Sequence, residues 1–142
     1  MIAVIVFYSM ASGKQAALAF SNEFKHCNII TFDGSDWLML DFDRTGFVMR
    51  RIKATSANAL LRGMRGLSYV SAIITLTIEN PVKIKWKPWL IRSCNEFCRY
   101  TAGVDIGITF NPRHLYSKLL KYNGRNYQVL TAWRRKDGIS KR

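Results

Sequence analysis

Acidic residues are scarce in this sequence of 142 residues, which has nine Asp and Glu against 22 Lys and Arg and a formal charge of +13 at pH 7. The imbalance is uneven, because residues 1–43 carry a net charge of −3 and residues 44–142 carry +16. A field of this sign attracts nucleic acid, acidic cell-wall polymer and anionic lipid alike. The charge therefore predicts the sign of a partner and leaves its chemical class open.

Long hydrophobic runs are also missing. The two longest, residues 1–8 and 69–78, fall well short of the roughly 20 residues that a membrane-spanning helix needs, so no transmembrane segment is expected. The first run has no basic leader before it and no small-residue cleavage site after it. We interpret it as a strand and not as a secretion signal, and we expect synthesis in the cytoplasm.

Cysteine is rare, with Cys27, Cys94 and Cys98 as the three in the chain. An odd number of cysteines in a protein of this size does not predict a disulfide framework, and at least one thiol is free. The C-x-x-x-C pair is wider than the usual pairs of structural zinc sites, and there is no second pair. We therefore expect no bound metal and no other cofactor.

Apolar residues, in contrast, are plentiful enough for a core. The chain is 49% hydrophobic and 13% aromatic, and its length is close to that of one domain. We expect a single domain over residues 1–133. Residues 134–142, which include five Lys and Arg, are interpreted as a basic C-terminal tail.

Local patterns of both strand and helix type occur along the chain, which predicts an α+β fold. β-Branched, aromatic or alternating runs predict strands at residues 1–8, 47–52, 68–79, 82–87 and 127–133. Residues 26–32 and 36–42, joined by a Gly-containing turn, predict a β-hairpin. Helical spacing and capping residues predict helices at residues 14–24, 56–67 and 93–102, and one from residue 111 onward.

The predicted strand at residues 82–87 has three lysines on one side. Such charges protect an edge strand from aggregation, and they can equally form a ledge for an anion. Trp86 and Trp89 lie between basic residues, where their rings are suited to stacking on nucleic-acid bases. The candidate residues for binding an anionic partner are Lys83, Lys85, Lys87 and Arg92.

Cys94 is the candidate nucleophile. Ser93 and Glu96 have the spacing of a capping box, which places Cys94 in the first turn of a helix. Unpaired N–H groups and the helix dipole at that position lower the pKa of a thiol, and Arg92 acts in the same direction. Cys98 lies one turn deeper in the helix, and we interpret it as a core residue.

His26 is the candidate base, because a thiolate nucleophile needs an imidazole to share its proton. It opens the first strand of the hairpin, and pairing around the turn places Asp41 opposite or nearly opposite it. A carboxylate there holds the imidazole in one tautomer and favours its charged form. Asp33 and Asp43 are weaker candidates, since only a shift of register would favour a neighbour of Asp41.

The rival base is His114. It falls in the first turn of the helix that starts near residue 111, where the helix dipole disfavours a cationic imidazole. Cys27 follows His26 in the same predicted strand. It therefore alternates to the opposite face, and we expect it to be buried.

The order of these parts resembles that of the circularly permuted papain-like thiol hydrolases. The matching stretches are HCNIITFDGSDWLMLD at residues 26–41, SCNEFC at 93–98 and TFNPRHL at 109–115. In that group, which includes NlpC-type cell-wall peptidases and relatives of lecithin:retinol acyltransferase, the strand bearing His precedes the helix bearing Cys. Cys27 and Asn95 depart from the pattern, because many members have small residues at both positions.

The resemblance implies a permuted papain-like fold, in which an antiparallel sheet packs against helices that include the one bearing Cys94. It also implies that Cys94 is the nucleophile, His26 the base and Asp41 the orienting residue. The function implied is amide or thioester-type hydrolysis, with a cell-wall peptide as substrate. Small proteins of tailed bacteriophages are similar as well. The alternative is a non-catalytic basic structural or virion-associated protein that binds nucleic acid or another anionic partner.

Overall fold

A computed structural model describes residues 1–9, 24–43, 46–82 and 93–136. Within these residues the chain forms six strands and three helices, so the predicted α+β class is confirmed. In chain order, the elements are β1 (Ile2–Tyr8), β2 (His26–Phe32), β3 (Trp37–Asp43), β4 (Gly46–Ile52), α1 (Ala57–Gly66), β5 (Val70–Ile78), α2 (Cys94–Ala102), α3 (Pro112–Lys121) and β6 (Tyr127–Arg134).

The six strands form one antiparallel sheet in the order β4-β3-β2-β1-β5-β6. β1 lies inside the sheet, and residues 3–7 of this strand are fully buried. This position agrees with its sequence, because a strand covered on both faces is apolar at successive residues and not only at alternate ones. The apolar run at the start of the chain therefore forms one of the inner strands of the sheet.

Apolar side chains cover both faces of the sheet. On one face, Leu115 and Leu119 of α3 pack with Phe7 and with residues of α2. On the other face, Leu60 and Met64 of α1 pack with strand residues. Most residues of β5 are buried, because the two cores lie on opposite faces of the sheet.

The predicted strands at residues 1–8, 47–52, 68–79 and 127–133, the hairpin and three of the predicted helices are confirmed. The predicted helix at 14–24 and the predicted strand at 82–87 fall almost wholly outside the described residues. β6 continues to Arg134, and Arg135 donates hydrogen bonds to the carbonyls of Arg65, Leu67 and Val70. None of the helices in the described part of the chain has the length and apolar character needed to cross a membrane.

Candidate active site

His26 and Asp41 meet where the hairpin strands begin to separate. The described pairs of β2 and β3 run from Ile29 with Leu40 to Phe32 with Trp37. Extending this register places Asp41 opposite Asn28, diagonal to His26 and on the same face. His26 Nε2 lies 2.7 Å from Asp41 Oδ1, which is a hydrogen bond of charge-assisted length. The sequence-based pairing of these two residues is therefore present in the structure.

The His26 ring is buried, and its surroundings favour the charged form. Burial alone lowers the pKa of the ring, but the hydrogen bond with Asp41 and the neighbouring Cys94 outweigh it and raise the pKa of His26 to about 10. The second nitrogen, Nδ1, is buried and has no hydrogen-bond partner among the described residues. With Nε2 held by Asp41, this nitrogen is the one available to the Cys94 sulfur.

Cys94 is the first residue of α2, and its side chain is half-buried. The neighbouring Cys27 is the largest influence that lowers the pKa of Cys94. Burial opposes this effect, but the neighbouring His26 and its positive charge add to it, and the pKa is well below the usual range of a thiol. The pair is therefore arranged as a thiolate beside an imidazolium, which is the activated form of a cysteine nucleophile.

Cys27 and Cys98 are free, fully buried thiols in the core between β2 and α2. Burial, followed by hydrogen bonds with Cys94 and Cys98, raises the pKa of the Cys27 thiol well above its ordinary value. The prediction that Cys98 is a core residue and that Cys27 is buried is confirmed. Sequence reasoning did not place Cys94 against the core cluster that contains Cys27, because strand alternation assigned Cys27 only to the face opposite His26.

A buried polar network fixes the first turn of α2. Ser93 Oγ accepts the Glu96 N–H at 3.4 Å, as the capping pattern predicted. The Glu96 carboxylate, however, accepts from Thr109 N–H and Oγ1 at 2.6 Å each and pairs with Arg99 at 2.7 Å. The buried Asn95 side chain donates to the Thr109 carbonyl at 2.8 Å. The reciprocal half of the predicted capping box is therefore wrong, since Glu96 holds the segment around Thr109 against the helix.

Aromatic side chains adjoin the nucleophile. Phe97 follows Cys94 by three residues, so both lie on neighbouring parts of the α2 surface. The ring centroids of Phe42 and Phe47 each lie 5.6 Å from that of Phe97. Phe47 and Met49 on the edge strand β4 are largely exposed. Phe42, Phe47 and Phe97 together form an apolar wall. Sequence reasoning missed this wall, because its three residues come from β3, β4 and α2.

The rival residues make other contacts. His114 Nδ1 accepts the Phe110 N–H at 3.3 Å, and its ring stacks on that of Phe110. Partial burial, followed by the charge of Lys118, lowers the pKa of His114. Asp33 accepts the N–H groups of Ser35 and Asp36 inside the hairpin turn. The Asp43 side chain is outside the described part of the structure.

The predicted anion-binding residues Lys83, Lys85, Lys87 and Arg92 lie outside the described residues, as do Trp86 and Trp89. Among the residues that the structure describes, no group of three or more His, Cys, Asp or Glu side chains is placed to hold a metal ion. The described residues therefore include the candidate thiol site, and the anion-binding hypothesis stays a prediction.

Comparison of the chain with protein-family models, with curated proteins and with solved structures finds no match in any of the three. The chemistry of the site therefore has to be argued from its geometry. The arrangement consists of a half-buried thiol at a helix start, a neighbouring buried imidazole and a carboxylate that hydrogen-bonds with Nε2 of the imidazole.

Proposed function

We propose that the chain is a cysteine hydrolase of the permuted papain-like fold, with Cys94 as nucleophile, His26 as base and Asp41 as the orienting residue. The observation that carries the proposal is the 2.7 Å contact between His26 Nε2 and Asp41 Oδ1, on a ring whose pKa the neighbouring Cys94 also raises. A carboxylate in this position fixes the imidazole tautomer and stabilises its charged form.

In the proposed reaction, the Cys94 thiolate attacks the carbonyl carbon of an amide or thioester. The oxyanion lies against N–H groups at the start of α2, where helix geometry leaves the first N–H groups without intrahelical acceptors. His26 gives its proton to the leaving group, and a covalent acyl-Cys94 intermediate remains. His26 then takes a proton from water, which attacks the intermediate and releases the acid.

A bacterial cell-wall peptide is the substrate that we propose. The family resemblance is one support. The second is the formal charge of +13, because a basic protein accumulates on an acidic polymer through long-range attraction. The apolar wall formed by Phe42, Phe47 and Phe97 offers a contact surface for the part of the substrate that lies next to the scissile bond.

The first experiment separates the chemistry from the unidentified substrate. Wild-type protein is mixed with p-nitrophenyl acetate, and the release of p-nitrophenol and the mass of the protein are followed together. We expect a burst of one equivalent and an acetyl group on Cys94. The matched control Cys98→Ala removes a thiol on the same helix and should keep the burst, whereas Cys94→Ala should lose it.

The role of the base is tested by His26→Ala in the same assay. This variant should acylate far more slowly, because about 10²–10⁴-fold of the rate depends on a general base. Acetylation of lysine in place of Cys94, or an unchanged burst in His26→Ala, would refute the proposal. Release of new amino groups from purified peptidoglycan then tests the substrate class separately.

A further inference from the structure

Strand β4 is one edge of the sheet, and no further strand among the described residues pairs with its outer side. All seven of its residues pair with β3 without a shift of register. The other edge strand, β6, is less regular, because Val129 and Thr131 pair with consecutive residues of β5 and Leu130 is an extra residue. A bulge of this kind protects an edge from further pairing, whereas the regular edge of β4 can accept another strand.

The surface around this edge is basic. Residues 46–66, which comprise β4, α1 and the segment between them, include five Lys and Arg and no Asp or Glu. Four of these basic residues are exposed, namely Arg50, Arg51, Lys53 and Arg62. Arg51 pairs with Asp36 at 3.3 Å, but the Arg51 side chain remains 68% exposed. This charge favours an acidic partner, and it disfavours edge-to-edge pairing of two copies of the chain, which would bring like charges together.

Apolar surface lies along the same edge on both faces of the sheet. Phe47 and Met49 occupy alternate positions of β4, so they share one face, and they are 56% and 60% exposed. On the other face, an open cleft of about 280 Å³ lies between the end of β4 and α1. The lining of this cleft includes Ile52, Leu60, Gly63 and Met64. An extended segment laid along β4 therefore meets apolar surface near both ends of the strand.

We propose that the edge of β4 is a docking site for an acidic peptide segment of a partner protein, which binds as an additional antiparallel strand. Backbone hydrogen bonds supply the affinity, and alternate side chains supply the specificity. The segment carries apolar residues opposite Phe47 and Met49, and acidic residues opposite Arg50 and Arg51. An apolar side chain beyond Ile52 enters the cleft. A nucleic acid has the same sign of charge, but its backbone lacks the N–H and C=O groups that pair with a strand edge.

The test is amide hydrogen exchange of wild-type protein, followed by nuclear magnetic resonance, with and without the peptide acetyl-Leu-Thr-Glu-Glu-Ile-Thr-Val-amide. In antiparallel pairing its Val lies opposite Phe47 and its two Glu lie opposite Arg50 and Arg51. We expect slower exchange at alternate residues of β4, because only the N–H groups on its outer side gain partners, and no change in β6. Unchanged exchange in β4, or protection of β4 by a single-stranded oligonucleotide and not by the peptide, would overturn the proposal. Protection in the peptide-free protein that rises with protein concentration would also overturn it, in favour of a second copy of the chain.

Matched variants test the charge and the cleft separately, with circular dichroism as the check of folding. Replacing both exposed arginines, in Arg50→Glu with Arg51→Glu, should weaken peptide binding at least about tenfold, because two attractive cross-strand pairs become repulsive. Equal binding by this variant would overturn the proposal.

Gly63→Leu fills the cleft from an open position on α1 and should also weaken binding, without loss of stability. Gly66→Leu is the matched control, because Gly66 is equally open but does not line the cleft. Equal binding by these two variants would contradict the role of the cleft. The docking site goes beyond hydrolysis and does not depend on it, so Cys94→Ala should bind the peptide as wild-type protein does. Peptide binding without cleavage of p-nitrophenyl acetate would contradict the hydrolase alone, and the reverse result would contradict the docking site alone.

Discussion

Replacing Asp41 with Asn removes one negative charge beside His26 and keeps an oxygen in the same place. Asp41 Oδ1 accepts from His26 Nε2 at 2.7 Å and from the Phe42 N–H at 2.8 Å. The Asp41 side chain is 26% exposed and that of His26 is 8% exposed, so solvent screens this contact only in part. Exchanging a charged for a neutral hydrogen bond costs about 1–1.5 kcal/mol, since the two kinds contribute roughly 1.5–3 and 0.5–1.5 kcal/mol. Because one pKa unit corresponds to 1.36 kcal/mol, the pKa of His26 should fall by about one unit in Asp41→Asn.

Nuclear magnetic resonance of the histidine ring protons measures this directly, because the chain has two histidines. The pKa of His26 is raised to about 10, whereas that of His114 is lowered from its ordinary value of 6.5, so the two titrate on opposite sides of that value. His114→Gln assigns the signals. In Asp41→Asn the His26 midpoint should move down and the His114 midpoint should stay in place.

The same change should reduce stability in a defined pH window. Because the folded-state pKa of His26 is raised, its charged form stabilises the fold fully below pH 6.5, and this contribution is lost as the pH rises through about 10. Urea denaturation should therefore show a deficit of about 1–1.5 kcal/mol for Asp41→Asn at pH 6, and a smaller deficit above pH 10. A wild-type His26 that titrates near 6.5, or a midpoint unchanged by the substitution, would refute the reasoning.

Four further outcomes are expected. The rate at which iodoacetamide alkylates Cys94 should change little between pH 6 and pH 8. A thiol of ordinary pKa would react about 75-fold faster at pH 8 than at pH 6, and an increase of that size would contradict a Cys94 thiolate. Gly103→Ala should lower the free energy of unfolding in urea by more than about 1–2 kcal/mol. Gly103 has φ +65°, and a Cβ added there would lie 2.8 Å from the Cβ of Pro81. Gly63→Ala, in an open position inside α1, should raise it by about 0.5–1 kcal/mol, and a loss there would be contrary to the helix assignment. Leu119→Ala should cost about 2–5 kcal/mol in the same assay because Leu119 is fully buried, and an equal cost for Leu120→Ala, which is 39% exposed, would contradict the packing of α3.

Much of the local structure could be predicted from the sequence, because its causes lie within a few residues. Ser93 and Asn111 cap α2 and α3 as predicted, since each side chain accepts an N–H only three residues away. The runs of β1 and β5 are strands because their β-branched residues suit an extended, buried chain. The order of the strands in the sheet was not predicted, since β1 pairs with β5 across about seventy residues and local patterns do not encode that pairing.

In the candidate site, too, features with local causes were predicted and contacts between distant residues were missed. His26, Asp41 and Cys94 were reached from a hairpin turn and a helix cap, and the structure brings these three residues together. The partner of Glu96 was missed, because Thr109 lies thirteen residues away and the capping pattern offered a nearer group. Alternation correctly assigned Cys27 to a buried face, since it is paired with Phe7 of β1. The helix that covers this face was missed, because α2 follows nearly seventy residues later and local patterns do not encode its position.

The ultraviolet absorbance of the thiolate, measured as the difference between wild-type protein and Cys94→Ser at pH 6, tests the thiolate–imidazolium pair most directly. The arrangement of Cys94, His26 and Asp41 predicts one thiolate per chain in wild-type protein at this pH, and its loss in His26→Ala. A wild-type difference spectrum without thiolate absorbance until the pH approaches the ordinary range of a cysteine would contradict it.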